Sequence, residues 1–179
     1  MKKRSGREVI VITAARLFYK QGYSNTGINQ IIKESGVVKS TFYQIFRSKE
    51  DLLIAYLEST GEQTVESLAE VIRKQETPKA KLLAVFEYLE DLVQTEDFYG
   101  CHFLNMVYEL PENSDKIREQ VKKQKDNVRR LFAEALAPLE NEDLADEIYT
   151  LFEGALIGHK VHLDTWPIIS ASKIIKKLL

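Results

Sequence analysis

Residues 26–52 read TGINQIIKESGVVKSTFYQIFRSKEDL, two short apolar-periodic segments parted by Ser35-Gly36. Ile28, Ile31 and Ile32 recur at steps of three and four, which predicts a helix with one buried face. Thr26 stands just before them, where a threonine hydroxyl can close a free amide, so this helix is expected to begin near Thr26. Gly36 should end it, because a left-handed turn penalises any residue that carries a Cβ. Val37 and the isoleucines are expected to bury the inner faces and fix the crossing angle. A further short helix from about Val38 to Ile45 turns Phe42 inward and exposes Lys39, Ser40, Thr41, Tyr43 and Gln44. None of these five is acidic, and an acid there would be repelled by phosphate. Hydrogen-bonding side chains near the start of such a helix are what reading the major groove of DNA requires. Helix, glycine turn and short helix over 27–46 thus have the layout of a helix-turn-helix.

Working outward, almost every other segment also reads as helix. A first helix from about Ser5 to Gln21 carries Ile10, Val11, Ala14, Ala15 and Phe18, with Gly22 as its stop. Ser48-Lys49-Glu50-Asp51 resembles a capping box, opening a long fourth helix that runs through Leu52, Leu53, Tyr56 and Leu57 to about Gln75. Thr77-Pro78 starts a fifth, Gly100-Cys101-His102 opens a sixth that Pro111 closes, and Ser114 caps a charged seventh that ends before Pro138. The eighth is expected from about Glu142 to Leu163, and Pro167 starts a ninth that reaches Leu179. Glycine and proline sit at boundaries and strict apolar/polar alternation is missing, so strands are not expected. The expected fold is all-α, with about nine helices.

Composition bounds the rest. The 179 residues include abundant apolar side chains and an ordinary charged fraction, as a folded domain does. No apolar run approaches the roughly 20 residues that span a bilayer, and the basic start flows straight into a helical pattern rather than a signal peptide. The single cysteine, Cys101, permits no internal disulfide and suits a reducing interior. A cytoplasmic location with no membrane partner is the expectation. Net charge is −2, yet residues 1–56 hold ten Lys or Arg against four acids, leaving +6 there and −8 beyond. Such asymmetry fits a chain whose one end meets a polyanion.

The signature of the DNA-binding segment is specific. With Ala14-Ala15-Arg16-Leu17-Phe18 and Gly22-Tyr23 ahead of Thr26, Ile31, Gly36-Val37, Thr41, Tyr43, Phe46 and Lys49-Glu50-Asp51-Leu52, it resembles the TetR family of bacterial transcriptional regulators, without a gap across about 45 residues. The resemblance implies a cytoplasmic homodimer on a palindromic double-stranded DNA operator, most often a repressor that a small-molecule effector releases. It implies a DNA-binding domain over 4–64 and an effector-sensing and dimerisation domain over 65–179, joined by the fourth helix as the lever. Residue by residue, it sets Thr26 and Gly27 near phosphate, Lys39, Ser40 and Thr41 at base edges, Tyr43 and Lys49 on the backbone, and Phe46 in the core. Lys2, Lys3, Arg4 and Arg7 form a basic arm toward a neighbouring groove. Val38 departs from the family, which often has a capping serine there, and Ser40 stands where glycine is common.

Beyond the signature, Gly100-Cys101 with Asn105 and Glu109 resembles a pattern at the sixth helix of one branch of the family. The family's effector cavity lies among the fourth to eighth helices, and Tyr88, Phe103, Asn105, Met106, Tyr108 and Trp166 would line it here. Aromatic and methionine side chains at helical spacing equally build a core, so both readings stand, and a DNA-binding dimer without a ligand is the alternative. Asn105 needs a partner wherever it is buried. His159 and His162 can share a helix face, but no third ligand lies near them in sequence, so no metal is expected. Neither a nucleophile–base pair nor a phosphate-cradling glycine loop is visible, so neither an enzyme nor a cofactor is expected. The last two helices offer Leu151, Ala155, Leu156, Leu163, Ile168, Ile169, Ile174, Ile175, Leu178 and Leu179, more apolar surface than a monomer's end should show. A symmetric dimer would bury it, with Gly154 and Gly158 allowing close helix approach.

Overall fold

The computed structural model describes residues 4–110 and 114–179. The arm lysines Lys2 and Lys3, and Pro111, lie outside the described residues. Within them run α1 (Gly6–Gln21), α2 (Ile28–Ser35), α3 (Lys39–Ile45), α4 (Lys49–Arg73), α5 (Pro78–Val93), α6 (His102–Glu109), α7 (Asp115–Leu136), α8 (Glu142–His162) and α9 (Trp166–Leu178). A single 3-10 turn, Ala137–Leu139, follows α7, and the described residues contain no strand. No helix among them is long and apolar enough to cross a membrane.

Local chemistry sets the ends of these helices. Ser5 caps α1, its hydroxyl accepting from the Glu8 amide while the Glu8 carboxylate accepts from the Ser5 amide at 2.7 Å. Hydrogen bonding to the Glu8 carboxylate, from the Ser5 amide first and the Ser5 side chain second, holds that carboxyl below its ordinary range. The Ser48 hydroxyl accepts from the Asp51 amide at 2.9 Å ahead of α4, and Thr77 does the same for Ala80 with Pro78 in the first turn of α5. Gly36 ends α2 at φ +69°, the left-handed conformation that only glycine adopts cheaply.

The chain forms two compact units. One comprises Met1–Gly61 with His102–Gln124, so α6 and the first half of α7 join the helix-turn-helix although some 40 residues separate them in sequence. Its buried side chains include Ile10, Leu17 and Phe18 of α1, Ile31 of α2, Phe42 of α3, Leu52, Leu53 and Tyr56 of α4, Phe103 and Met106 of α6, and Val121 of α7. Phe18 meets Tyr56 edge-on at 5.8 Å between centroids. Each such side chain contributes about 1.5–3 kcal/mol on burial.

The other unit comprises Glu62–Cys101 and Lys125–Leu179. Its core joins Leu82, Val85, Phe86 and Leu89 of α5 to Phe132 and Leu136 of α7, Ile148 and Phe152 of α8, and Ile168 and Ile175 of α9. The apolar surface expected at the chain's end is therefore smaller than its composition suggests. Ala155, Leu156, Ile168 and Ile175 face inward, while Ile157, Val161, Leu163, Trp166, Ile174 and Leu178 are exposed. The two glycines of α8 also differ. A Cβ on Gly158 would lie 2.8 Å from the Pro167 ring, so that glycine admits the chain's own α9, whereas a Cβ on Gly154 would meet nothing within 4 Å.

Candidate nucleic-acid interface

The α1–α2 turn is wired by one glutamine. The Gln21 amide nitrogen donates to the Asn25 carbonyl, the Thr26 hydroxyl and the Gln30 side-chain oxygen at 3.0–3.2 Å. Thr26 is fully buried, and its hydroxyl donates back to the Gly22 carbonyl at 2.7 Å. It therefore does not cap α2, contrary to the expectation from sequence: the preceding helix end, already short of acceptors' partners, captures the hydroxyl first. Gly27 is the N-cap of α2, with no side chain bonded to the first amides, and it is exposed. Free amides at a helix start point toward an anion.

On α3, Phe42 is buried with its ring against Phe46, which is buried as expected. That anchors the helix and leaves Lys39, Ser40, Tyr43 and Gln44 exposed and Thr41 half-buried. Val38 is the N-cap, 64% exposed, and makes no side-chain cap. From Val37 to Ser48 the chain contains no acid, and Glu34 just before it is engaged by Arg16 and Gln30. Arg4 and Arg7 are exposed, the Arg7 guanidinium lying 5.7 Å from the centre of the Phe46 ring. Lys49, half-buried at the start of α4, places its ammonium 4.1 Å from the centre of the Tyr23 ring. Burial holds the Lys49 pKa below its ordinary value while Glu109 opposes that shift.

The six residues set in an effector cavity divide between the two units. Phe103 and Met106 are buried in the first, Asn105 is half-buried there, and Tyr108 is three-quarters exposed. In the second, Tyr88 packs against the core and Trp166 is half exposed. Cys101 and His102, adjacent in sequence, have unrelated surroundings. The Lys125 ammonium donates to Cys101 Sγ at 3.2 Å and to both Glu153 oxygens at 2.6–2.8 Å. His102 lies flat on Tyr19, 3.6 Å between ring centres, and its Nδ1 shares a hydrogen bond with the Tyr56 hydroxyl. Burial lowers its pKa to about 4. Nδ1 of His159 is bonded to the Asp164 carbonyl, and His162 packs on Trp166. No group of three or more His, Cys, Asp or Glu side chains able to hold a metal stands together among the described residues.

The role of Gln21 escaped sequence reasoning, and so did the contact made by Glu109, although Glu109 itself belongs to the sixth-helix pattern. Gln21 resembled an ordinary last-turn polar residue. Glu109 accepts from the Ser24 amide at 2.7 Å, a contact across 85 positions that no local pattern announces.

Comparison with known proteins bears on this face directly. The model of the bacterial regulatory proteins of the tetR family matches residues 10–56. The uncharacterized HTH-type transcriptional regulator YxaF of Bacillus subtilis (strain 168) is 30% identical over 181 residues, covering 97% of this chain and 94% of its own. The HTH-type transcriptional repressor NemR of Escherichia coli (strain K12) is 26% identical over 185 residues, covering 97% and 93%. The crystal structure of the reduced form of E. coli NemR superposes with a TM-score of 0.88 at 24% identity, over 97% of this chain and 96% of that one.

Proposed function

This chain belongs to the TetR family of bacterial regulatory proteins and is a DNA-binding transcriptional regulator; from there we propose that it is a cytoplasmic homodimeric repressor, released from a palindromic operator by a small-molecule effector. The observation that carries the DNA-binding half is the exposed, acid-free face of α3, held out by the buried Phe42. Lys39, Ser40 and Thr41 approach base edges there. Tyr43 and Lys49 bond phosphates, and the uncapped amides that follow Thr26 and Gly27 receive another. Repression is supported by the name of the NemR relative.

Two subunits would set their α3 helices in successive major grooves, about 34–36 Å apart. The exposed Ile157 and Val161 of α8, with Ile174 and Leu178 of α9, form the apolar stripe that a partner copy would cover. An effector shifts such a dimer only by its difference in affinity between the bound and released states. The burial of Phe103 and Met106 favours a second reading at α6, in which those side chains are core and the dimer answers to no small molecule.

Selection from randomised duplexes, followed by anisotropy titrations over a range of salt, tests the proposal. An inverted repeat with half-sites one helical turn apart is the expected outcome; recovery of nothing above non-specific binding by ligand-free protein would overturn it. Lys39→Ala should relax base preference at one position, costing about 1–3 kcal/mol of discrimination. Lys49→Ala should weaken binding to all sequences and reduce the salt slope by about one unit.

A further inference from the structure

Within the first unit, the two ends of α6 contact α1, α4 and the α1–α2 turn. His102 opens α6 against Tyr19 of α1 and Tyr56 of α4. Glu109 closes it against the α1–α2 turn. One Glu109 oxygen accepts from the Ser24 amide at 2.7 Å, and the other lies 2.7 Å from where a Cβ on Gly22 would stand. Gly22 has a φ of +89°, so the turn takes a backbone shape and a close approach that only glycine permits together. The same carboxylate exerts a charge on Lys49, which reaches over Tyr23 from the start of α4.

We propose that Glu109 is a positioning residue for DNA binding: its carboxylate fixes the turn that aims the start of α2, and it serves Lys49 as an internal counter-charge. The inference rests on the reading of α2's first amides and Lys49 as contacts to the DNA backbone. Without DNA, the Lys49 ammonium rests on the Tyr23 ring within the field of the Glu109 carboxylate. When phosphate arrives, that carboxylate repels it and so moderates the non-specific part of the affinity. The turn meanwhile stays anchored, because the Ser24 amide is already paired with the Glu109 carboxylate.

The two roles separate by chemistry. A carboxamide still accepts a hydrogen bond from the Ser24 amide but carries no charge; a methyl group does neither. Anisotropy titrations of the full-length protein on its selected operator, at several salt concentrations, compare the wild type with Glu109→Gln and Glu109→Ala. Glu109→Gln should steepen the salt slope by up to about one unit, since one repelling charge leaves the interface. Glu109→Ala should share that steeper slope yet bind the operator about tenfold more weakly than Glu109→Gln. The double change Lys49→Gln with Glu109→Gln should lose the increment in slope. Thermal melts of each variant show whether the fold survives, and the conservative Glu109→Gln carries the test if the alanine variant does not. Equal operator affinity of the alanine and glutamine variants would overturn the inference, as would a wild-type slope in Glu109→Gln. Failure of the wild-type protein to select an operator strikes the DNA-binding reading itself, a different result.

Discussion

His102 is a base held without its proton. Its ring is stacked on Tyr19, its Nδ1 is engaged by Tyr56, and it opens α6, where the positive end of the helix dipole adds to the effect of burial. Its folded pKa, about 4, lies below the ordinary 6.5 of the unfolded chain. Between those values the unfolded state binds more protons. The stabilisation is therefore complete above pH 6.5 and is lost as pH falls from there toward 4. Urea titrations of the wild type and His102→Gln should differ in slope across that window by up to about 1.4 kcal/mol per pH unit. Parallel curves would show that the histidine is not held neutral. Residues of this kind were the least legible in the sequence. The exposure of Lys39, Ser40 and Tyr43 and the burial of Phe42 follow from helical spacing, and the burial of Phe46 is what the family resemblance implies. The capture of Thr26 by Gly22 and the reach of Glu109 to Ser24 depend on which acceptor lies nearer in space. Periodicity holds no information about that.

Among the elements, α3 is the one formed with least local help. It has seven residues, fewer than an isolated helix needs, and its N-cap is a valine that bonds no amide. Its position depends on Phe42 and on the αL turn at Gly36. Val38→Ser should supply the missing acceptor and stabilise the protein by about 0.5–1 kcal/mol, read as a shift in the urea midpoint without change in m. No gain would mean that the first turn of α3 is already satisfied. The deficit at Val38 was visible beforehand, because caps are written in single residues. So were the starts of α4, α5 and α9, set by Ser48, Thr77-Pro78 and Pro167, and the end of α2 at Gly36. The inward turn of α9 was not. Its apolar residues at 168, 169, 174, 175, 178 and 179 occupy too much of the circumference for the pattern to tell a core from an interface, and only packing against α5 and α8 divides them.

For the molecule as a whole, that division decides which changes test assembly. Val161 is 70% exposed and Ile157 lies four positions before it on α8, so aspartate at either site leaves the subunit's own core untouched. Val161→Asp and Ile157→Asp should sediment as folded monomers with full helical content and weakened operator binding. A surviving dimer would place the interface elsewhere. Ile175→Asp is a different experiment, because Ile175 is fully buried. A carboxylate there should cost several kcal/mol and unfold the protein at any concentration. The grouping of α6 and the first half of α7 with the helix-turn-helix has a consequence in time. A ribosome adding about 5–20 residues per second needs roughly 3–13 seconds to proceed from Gly61 to Gln124. Through that interval the nascent helix-turn-helix lacks Phe103, Met106 and Val121 from its core and Glu109 from its turn. The core and turn that hold this unit are thus complete only after two-thirds of the chain has been made, and a transcript broken before that point should yield a poor competitor for the operator.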